Sequence, residues 1–501
     1  MRHSSWLLTL AIVVLPTTAQ AQNDFEAFKK KESERMRSFL TKEDADFSDF
    51  LKQDWKEFAL SVADKPLVRP KPRATPIARP TPPEPSGEAA PAPAPAPTPL
   101  PGGPAPSVSV LPSARRPAAP PPASVELAAS GNVLHTMFFG GIVAVPKVSL
   151  GLQPLPATIT GEAISAFWEQ INASPYKDVL AALQKQRELM QLGDWAFAQL
   201  AFRTGLSLAG GDTTHARLIA WHFLVKSGYA TRVGYSGSNI HVLLKTDELL
   251  YGVSYFTIDN GKFYVLDLAN GVPPRVGAIR TYEKDHPSAR KSLSFFMNAL
   301  PLLPEDLEPR TLRFAYKGQK FEINAGVNRN LVQFLTNYPQ TRLNGYLDAE
   351  VPSSAMDAVV GGLQPIIAGR PELEQVDMIL RFVQTAFDYK TDGDQFAREK
   401  WMFPEETLFY PFSDCEDRAI LFSYLVRKLV PAVSVVGLIY SDHVAAAVRF
   451  NTVVTGDVRM HRGIRYVVSD PTYINASVGM EMDQYKGASP TIVDARSFER
   501  R

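Results

Sequence analysis

The sequence predicts an α+β protein: two tandem units, each with helices packed on an antiparallel sheet, after a proline-rich linker. Three observations predict it. Helical patterns are followed by runs of short strand-like segments twice, within residues 126–325 and again within 326–501. The two runs share a common spacing of polar landmarks, described below. Residues 64–125 are rich in proline and alanine and show no periodicity, which marks a linker of polyproline character rather than a packed domain.

In chain order, residues 1–21 read as a signal peptide. Arg2 and His3 form the n-region, Trp6 to Leu15 the apolar stretch, and Ala19-Gln20-Ala21 the small-x-small cleavage site. No cysteine follows that site, which excludes a lipoprotein anchor, and no later run is apolar enough for a membrane helix. The chain is expected to be periplasmic. Residues 22–63 read as a helical segment with Phe47, Phe50, Leu51, Trp55 and Phe58 at three- and four-residue spacing. Such a stripe can pack back on the body or, through residues 24–62, on a cell-envelope partner. About 60 linker residues at ~3.1 Å each would reach on the order of 180 Å if fully extended, so the segment could sit far from the body.

The first unit opens with a strand pair over Asn132–Val145, broken by two glycines. Helices follow at Ile164–Ser174, Tyr176–Leu206 and Thr213–Ser227, the last closed by Gly228. Strands are expected at 230–235, 240–245, 251–258 and 263–267, and at 312–316 and 321–324. The second unit reads as helices at 328–337, 372–387 and 417–429, then strands at 433–440, 443–451 and 465–470.

The chain has 501 residues, 41 prolines, a net charge of +1 and one cysteine. The charge gives no argument for nucleic acid. One cysteine in an exported chain cannot close an internal disulfide, so Cys415 invites a reading as a working thiol. It opens an apolar helical run from the polar stretch Ser413-Asp414-Cys415-Glu416-Asp417-Arg418-Ala419. A helix N-terminus favours a thiolate. His443 lies 28 residues on, at the start of a strand, and Asp470 a further 27, at the end of another. Adjacent antiparallel strands would set Asp470 beside His443, leaving the other ring nitrogen for the thiol. The acidic flank opposes a thiolate. Glu416 and Asp417 are expected to project away from Cys415, and Asp414 to accept hydrogen bonds at the N-cap.

This order resembles the transglutaminase-like, papain-like cysteine superfamily. The matching residues are Asp414-Cys415-Glu416-Asp417-Arg418-Ala419, Asp442-His443-Val444 and Ser469-Asp470-Pro471-Thr472, with the helix Leu373–Phe387 ahead of Asp388-Tyr389. The likeness spans roughly residues 370–475. Many members carry glycine two positions before the cysteine, where this chain has Ser413. The resemblance implies catalytic Cys415, His443 and Asp470, a protein or peptide substrate, and either hydrolysis or crosslinking.

The same frame occurs earlier. Thr214 to His241 spans 27 residues and His241 to Asp267 spans 26, against 28 and 27 in the second unit. Thr214, His241 and Asp267 thus read as a degenerate counterpart, with threonine at the nucleophile position. A threonine hydroxyl is much harder to deprotonate than a thiol, so this copy is expected to bind or brace.

No metal or cofactor is expected. His215 and His222 would sit ~10.5 Å apart along a helix, and neither Cys pairs nor His-Glu-x-x-His occur. Glu405 and Glu406 read as a solvated helix start. The sequence therefore points to an exported thiol-dependent acyl-transfer enzyme, with Gln384 or Tyr389 as the second oxyanion donor. The rival from another class is a non-catalytic envelope scaffold.

Overall fold

The computed structural model describes residues 42–53, 55–65, 77, 132–349 and 353–495. The signal peptide, residues 22–41 and the linker apart from 64, 65 and 77 lie outside them. A helix α1 spans residues 42–51 and is followed by strand β1 (Lys56–Phe58). The first unit continues as hairpin β2 (Val133–Phe138) and β3 (Gly141–Pro146), then helices α2 (Gly161–Ala173), α3 (Tyr176–Leu189), α4 (Asp194–Leu208) and α5 (Thr213–Lys226). Strands β4 (Thr231–Ser236), β5 (Asn239–Lys245), β6 (Tyr255–Ile258), β7 (Gly261–Val265) and β8 (Ile279–Thr281) complete it. Gly228, at φ +90°, takes the left-handed turn that ends α5.

A long hairpin, β9 (Leu307–Tyr316) and β10 (Gln319–Asn328), comes next. It leads to helices α6 (Arg329–Leu335), α7 (Leu343–Leu347), α8 (Ser354–Ile367) and α9 (Glu372–Thr385). The expected boundary at 325/326 falls inside β10, and the hairpin packs on α8 and α9, so it goes with the second unit. Short elements β11 (Asp388–Tyr389), α10 (Asp392–Phe396), α11 (Pro404–Phe409) and β12 (Phe412–Ser413) lead into α12 (Cys415–Leu429). Strands β13 (Ser434–Ile439), β14 (Val444–Arg449), β15 (Val458–His461), β16 (Ile464–Ser469) and β17 (Thr491–Asp494) follow.

The fold is mixed α/β with antiparallel main sheets. Their orders are β1-β8-β4-β5-β7-β6 and β17-β13-β14-β16-β15. Apart from β1, the second order repeats the first strand for strand. In both, the preceding helix packs on the first two strands of the unit, α5 on β4 and β5, α12 on β13 and β14.

Alternation along the strands assigns the two faces of the second sheet. Val444, Ala446 and Val448 join the main core with α12, while Ala445 and Ala447 face a second cluster that contains Tyr440, Met482 and Tyr485.

The N-terminal stripe folds back on the first unit. Phe47 and Leu51 are buried, and Phe47 packs its ring 4.9 Å from Trp168 and 5.0 Å from His286. Of the two readings of the stripe, packing back on the body holds for Phe47 and Leu51, while residues 24–41 lie outside the described residues. Trp55 and Phe58 are not helical. The Trp55 indole donates to the Leu51 carbonyl at 2.6 Å, closing a helix end whose carbonyls lack intrahelical donors. A Cβ at Gly161 would come 2.3 Å from that indole nitrogen, so glycine is what admits the ring. Phe58 lies in β1, which pairs antiparallel with β8.

Candidate active site

Antiparallel pairing of β14 with β16 aligns Ala446 with Ser469, and this brings the residues flanking those strands together. His443 immediately precedes β14 and Asp470 immediately follows β16. His443 Nε2 lies 2.8 Å from Asp470 Oδ2, with both side chains buried. A carboxylate only accepts, so Nε2 carries the proton and Nδ1 is left as the basic nitrogen. That Nδ1 is buried and has no hydrogen bond among the described residues. The other Asp470 oxygen accepts the Thr472 N–H at 2.9 Å, which fixes the carboxylate plane.

Cys415 is the first residue of α12 and is fully buried. Its Sγ lies 3.1 Å from Glu416 Oε2. Glu416 therefore does not project away from the thiol, as helix geometry alone suggested; the buried carboxylate turns back and accepts the S–H. Asp414 does take the N-cap position, and its Oδ2 accepts the Asp392 N–H at 3.2 Å. Asp417 accepts the Asp414 N–H at 3.2 Å and the Met402 N–H at 2.8 Å. The acidic flank thus fastens the 392–402 loop over the start of α12.

Ser413, where glycine was the expected form, is buried, and its hydroxyl lies 3.1 Å from Arg418 Nε as acceptor. Arg418 also donates to the carbonyls of Gln384 (3.3 Å) and Phe387 (2.8 Å) at the end of α9. Burial brings its guanidinium down to about 10, still charged at neutral pH. Tyr389 pairs with Ser413 across β11 and β12, with its ring under Arg418.

Gln384 is no oxyanion donor. Its Nε2 donates to the carbonyls of Asp470, Tyr473 and Ala476 at 3.1, 2.9 and 3.0 Å. Both amide hydrogens are spent on the loop that carries the acid, so Gln384 positions Asp470 instead.

Tyr485 was not singled out in the sequence. Its ring stacks on His443 at 5.2 Å and 11°, and its hydroxyl donates to Asp442 Oδ1 at 3.0 Å. Burial and the Asp442 hydrogen bond push the phenol up, with a smaller contribution from Cys415. No spacing rule reaches Tyr485, because it sits on an isolated 3₁₀ turn.

The fold also gathers carboxylates that the motif search could not find. Oxygens of Asp392, Asp414 and Asp417 lie within 4.8 Å of one another, as do those of Asp392, Glu399 and Glu416. An all-oxygen set of this kind could hold a hard cation such as calcium. Glu405 and Glu406 begin α11 as expected but are buried, not solvated. Glu406 pairs with Lys400 at 2.5 Å; Glu405 accepts from Ser353, and burial raises its carboxyl to about 7.

In the first unit, His241 and Asp267 line one pocket of about 300 Å³ with Arg217. Asp267 accepts the Ala269 N–H at 2.7 Å and lies 4.0 Å from Arg217; among the described residues no hydrogen bond joins it to His241. Burial and Arg217 lower the His241 imidazole. Thr214 sits in the first turn of α5, where Asp212 accepts its N–H at 2.8 Å.

No family model matches the chain, and no curated protein is significantly similar to it. No helix among the described residues is long and apolar enough to cross a membrane.

Proposed function

We propose that the protein is an exported, thiol-dependent acyl-transfer enzyme of the transglutaminase-like type, acting on a protein or peptide in the periplasm. The observation that carries this reading is the buried His443–Asp470 pair at 2.8 Å, which leaves Nδ1 as the proton acceptor. The thiol at a helix start, and the strand order repeated between the sheets, support it. We read the repeat as a tandem duplication with an inactive first copy.

In the proposed reaction the Cys415 S–H passes its proton to His443 Nδ1 and sulfur attacks the substrate carbonyl. The Cys415 N–H serves as one oxyanion donor. As the C–N bond breaks, His443 returns the proton to the leaving amine, and Asp470 holds the imidazolium. Water or an amine then takes the acyl group and frees the thiol.

A second reading has its own support. Cys415 and His443 are both 0% exposed and the thiol is engaged by Glu416, as in a scaffold that no longer turns over. Iodoacetamide labelling between pH 5 and 9 separates the two. Rapid alkylation well below the free-thiol pKa of ~8.5, lost in His443→Ala, is expected of the enzyme. A thiol inert until denaturation would sink the catalytic reading and leave the scaffold.

A further inference from the structure

A cavity of about 830 Å³ lies between the β9–β10 hairpin and α9, and Cys415 is not among the residues that line it. Four successive residues of β9, Arg313 to Tyr316, line it together with the turn residue Lys317. β10 contributes Lys320, Phe321 and Glu322 as well, so the groove takes in both strands of the hairpin, and β9 has an outer edge on the side away from β10. β9 pairs only with β10, and among the described residues Arg313–Lys317 make no other backbone hydrogen bonds. Alternate amides along that edge are therefore open to an added strand.

The side chains around the edge select for charge. The carboxylates in the groove are already hydrogen-bonded or ion-paired from within. Asp377 accepts the Tyr316 hydroxyl at 3.1 Å and the Val478 N–H at 2.9 Å, and Glu322 pairs with Arg313 at 2.9 Å. Of the cations, Arg313 and Lys317 are paired, with Glu322 and Glu374, but Lys320 and Arg381 are not. Lys320 has no carboxylate partner among the described residues, and Arg381 bonds only the neutral Asn475 side chain, at 2.8 Å. Phe321, stacked on Phe314 at 5.0 Å, supplies an apolar wall.

We infer that this groove binds an extended acidic peptide segment by strand addition to β9, with Lys320 and Arg381 meeting its carboxylates and Phe321 its apolar side chains. The peptide nature of the ligand rests on the proposed acyl-transfer function; the edge and its charge do not. The groove shares Asn475 and Ser477 with the loop that Gln384 holds and that carries Asp470, so a segment seated here belongs to a substrate also presented to Cys415.

The test uses the full chain with Cys415→Ser, so that binding is read without turnover. The probe is a fluorescein-labelled peptide of alternating glutamate and valine, with a lysine–valine peptide and an acidic polysaccharide as comparators. Tighter binding of the glutamate peptide by at least about tenfold is expected, with slowed hydrogen exchange at Arg313–Lys317. Lys320→Glu with Arg381→Glu should abolish the preference while leaving the melting curve in place. Equal affinity for the two peptides, protection confined to other segments, or binding of the polysaccharide alone would overturn the inference. None of those results bears on the alkylation of Cys415, which tests the catalytic reading separately.

Discussion

Gln384 donates its side-chain amide to the main-chain carbonyl of Asp470 at 3.1 Å, and the same nitrogen reaches two further carbonyls of that loop. Replacing it by leucine leaves the buried carbonyls of Asp470 and Ala476 without their donor, while the Tyr473 carbonyl keeps the Ala476 N–H. A loss on the order of 3 kcal/mol in urea unfolding is expected, with slower Cys415 alkylation. Gln384→Glu should cost more than Gln384→Leu at neutral pH, because it sets an acceptor against acceptors. A purely steric role would not produce that order.

Ser413→Gly restores the residue that the transglutaminase-like pattern favours but removes the acceptor of Arg418 Nε. Because this leaves a buried charged donor short of one partner, stability should fall by about 1–3 kcal/mol. The alkylation rate of native Cys415 should be little changed, since the thiol's own contact is with Glu416. A large rate loss with intact stability would place Ser413 in the chemistry instead.

Glu405 gives the chain a pH dependence of defined sign. Burial raises its carboxyl in the folded protein to about 7, against an ordinary 4.5. Its protonated form favours folding, so its contribution is full below pH 4.5 and is lost as pH rises to 7. The difference is roughly 3 kcal/mol. Relative to Glu405→Gln, the unaltered protein should therefore lose stability across that window and run parallel above it, as measured by urea midpoints at successive pH values.

Phe47→Ala empties the aromatic box formed with Trp168, Tyr282 and His286. A cost of about 3–5 kcal/mol is expected for docking of the N-terminal segment. Hydrogen exchange should quicken in residues 42–65 and stay unchanged in β13–β16. Uniform quickening would mean that α1 is integral to the whole fold.

The sequence made the site legible where chemistry and element boundaries coincide. Cys415 begins a helix, and His443 and Asp470 flank paired strands, so their spacing carried geometric meaning. Glu416 was misread because helical projection fixes a Cβ direction but not where a long side chain turns when it is buried. Asp392 starts the five-residue helix α10, Glu399 lies in the loop after it, and Tyr485 in a single 3₁₀ turn, so no pattern tied them to Cys415. The short strands β8 and β17 have three and four residues, too few to show alternation. Trp55 and Phe58 continued the helical spacing beyond the helix because one caps its end and the other packs from a strand on the same body. Helix α8 escaped notice because Gly361, Gly362 and Pro365 interrupt an otherwise apolar run.

The way residues 42–65 are held has a consequence for the integrity of the particle. Asp44 bonds Lys226 and lies 3.2 Å from His286; β1 adds to the sheet; Ser61 and Asp64 bridge to Tyr255 and Tyr251; and Asp64 pairs with Lys262 at 2.8 Å. These contacts are independent of the covalent path through the proline-rich stretch. A chain nicked anywhere between residues 66 and 131 would stay together as a two-fragment complex, sedimenting as intact protein while running as two bands on a denaturing gel.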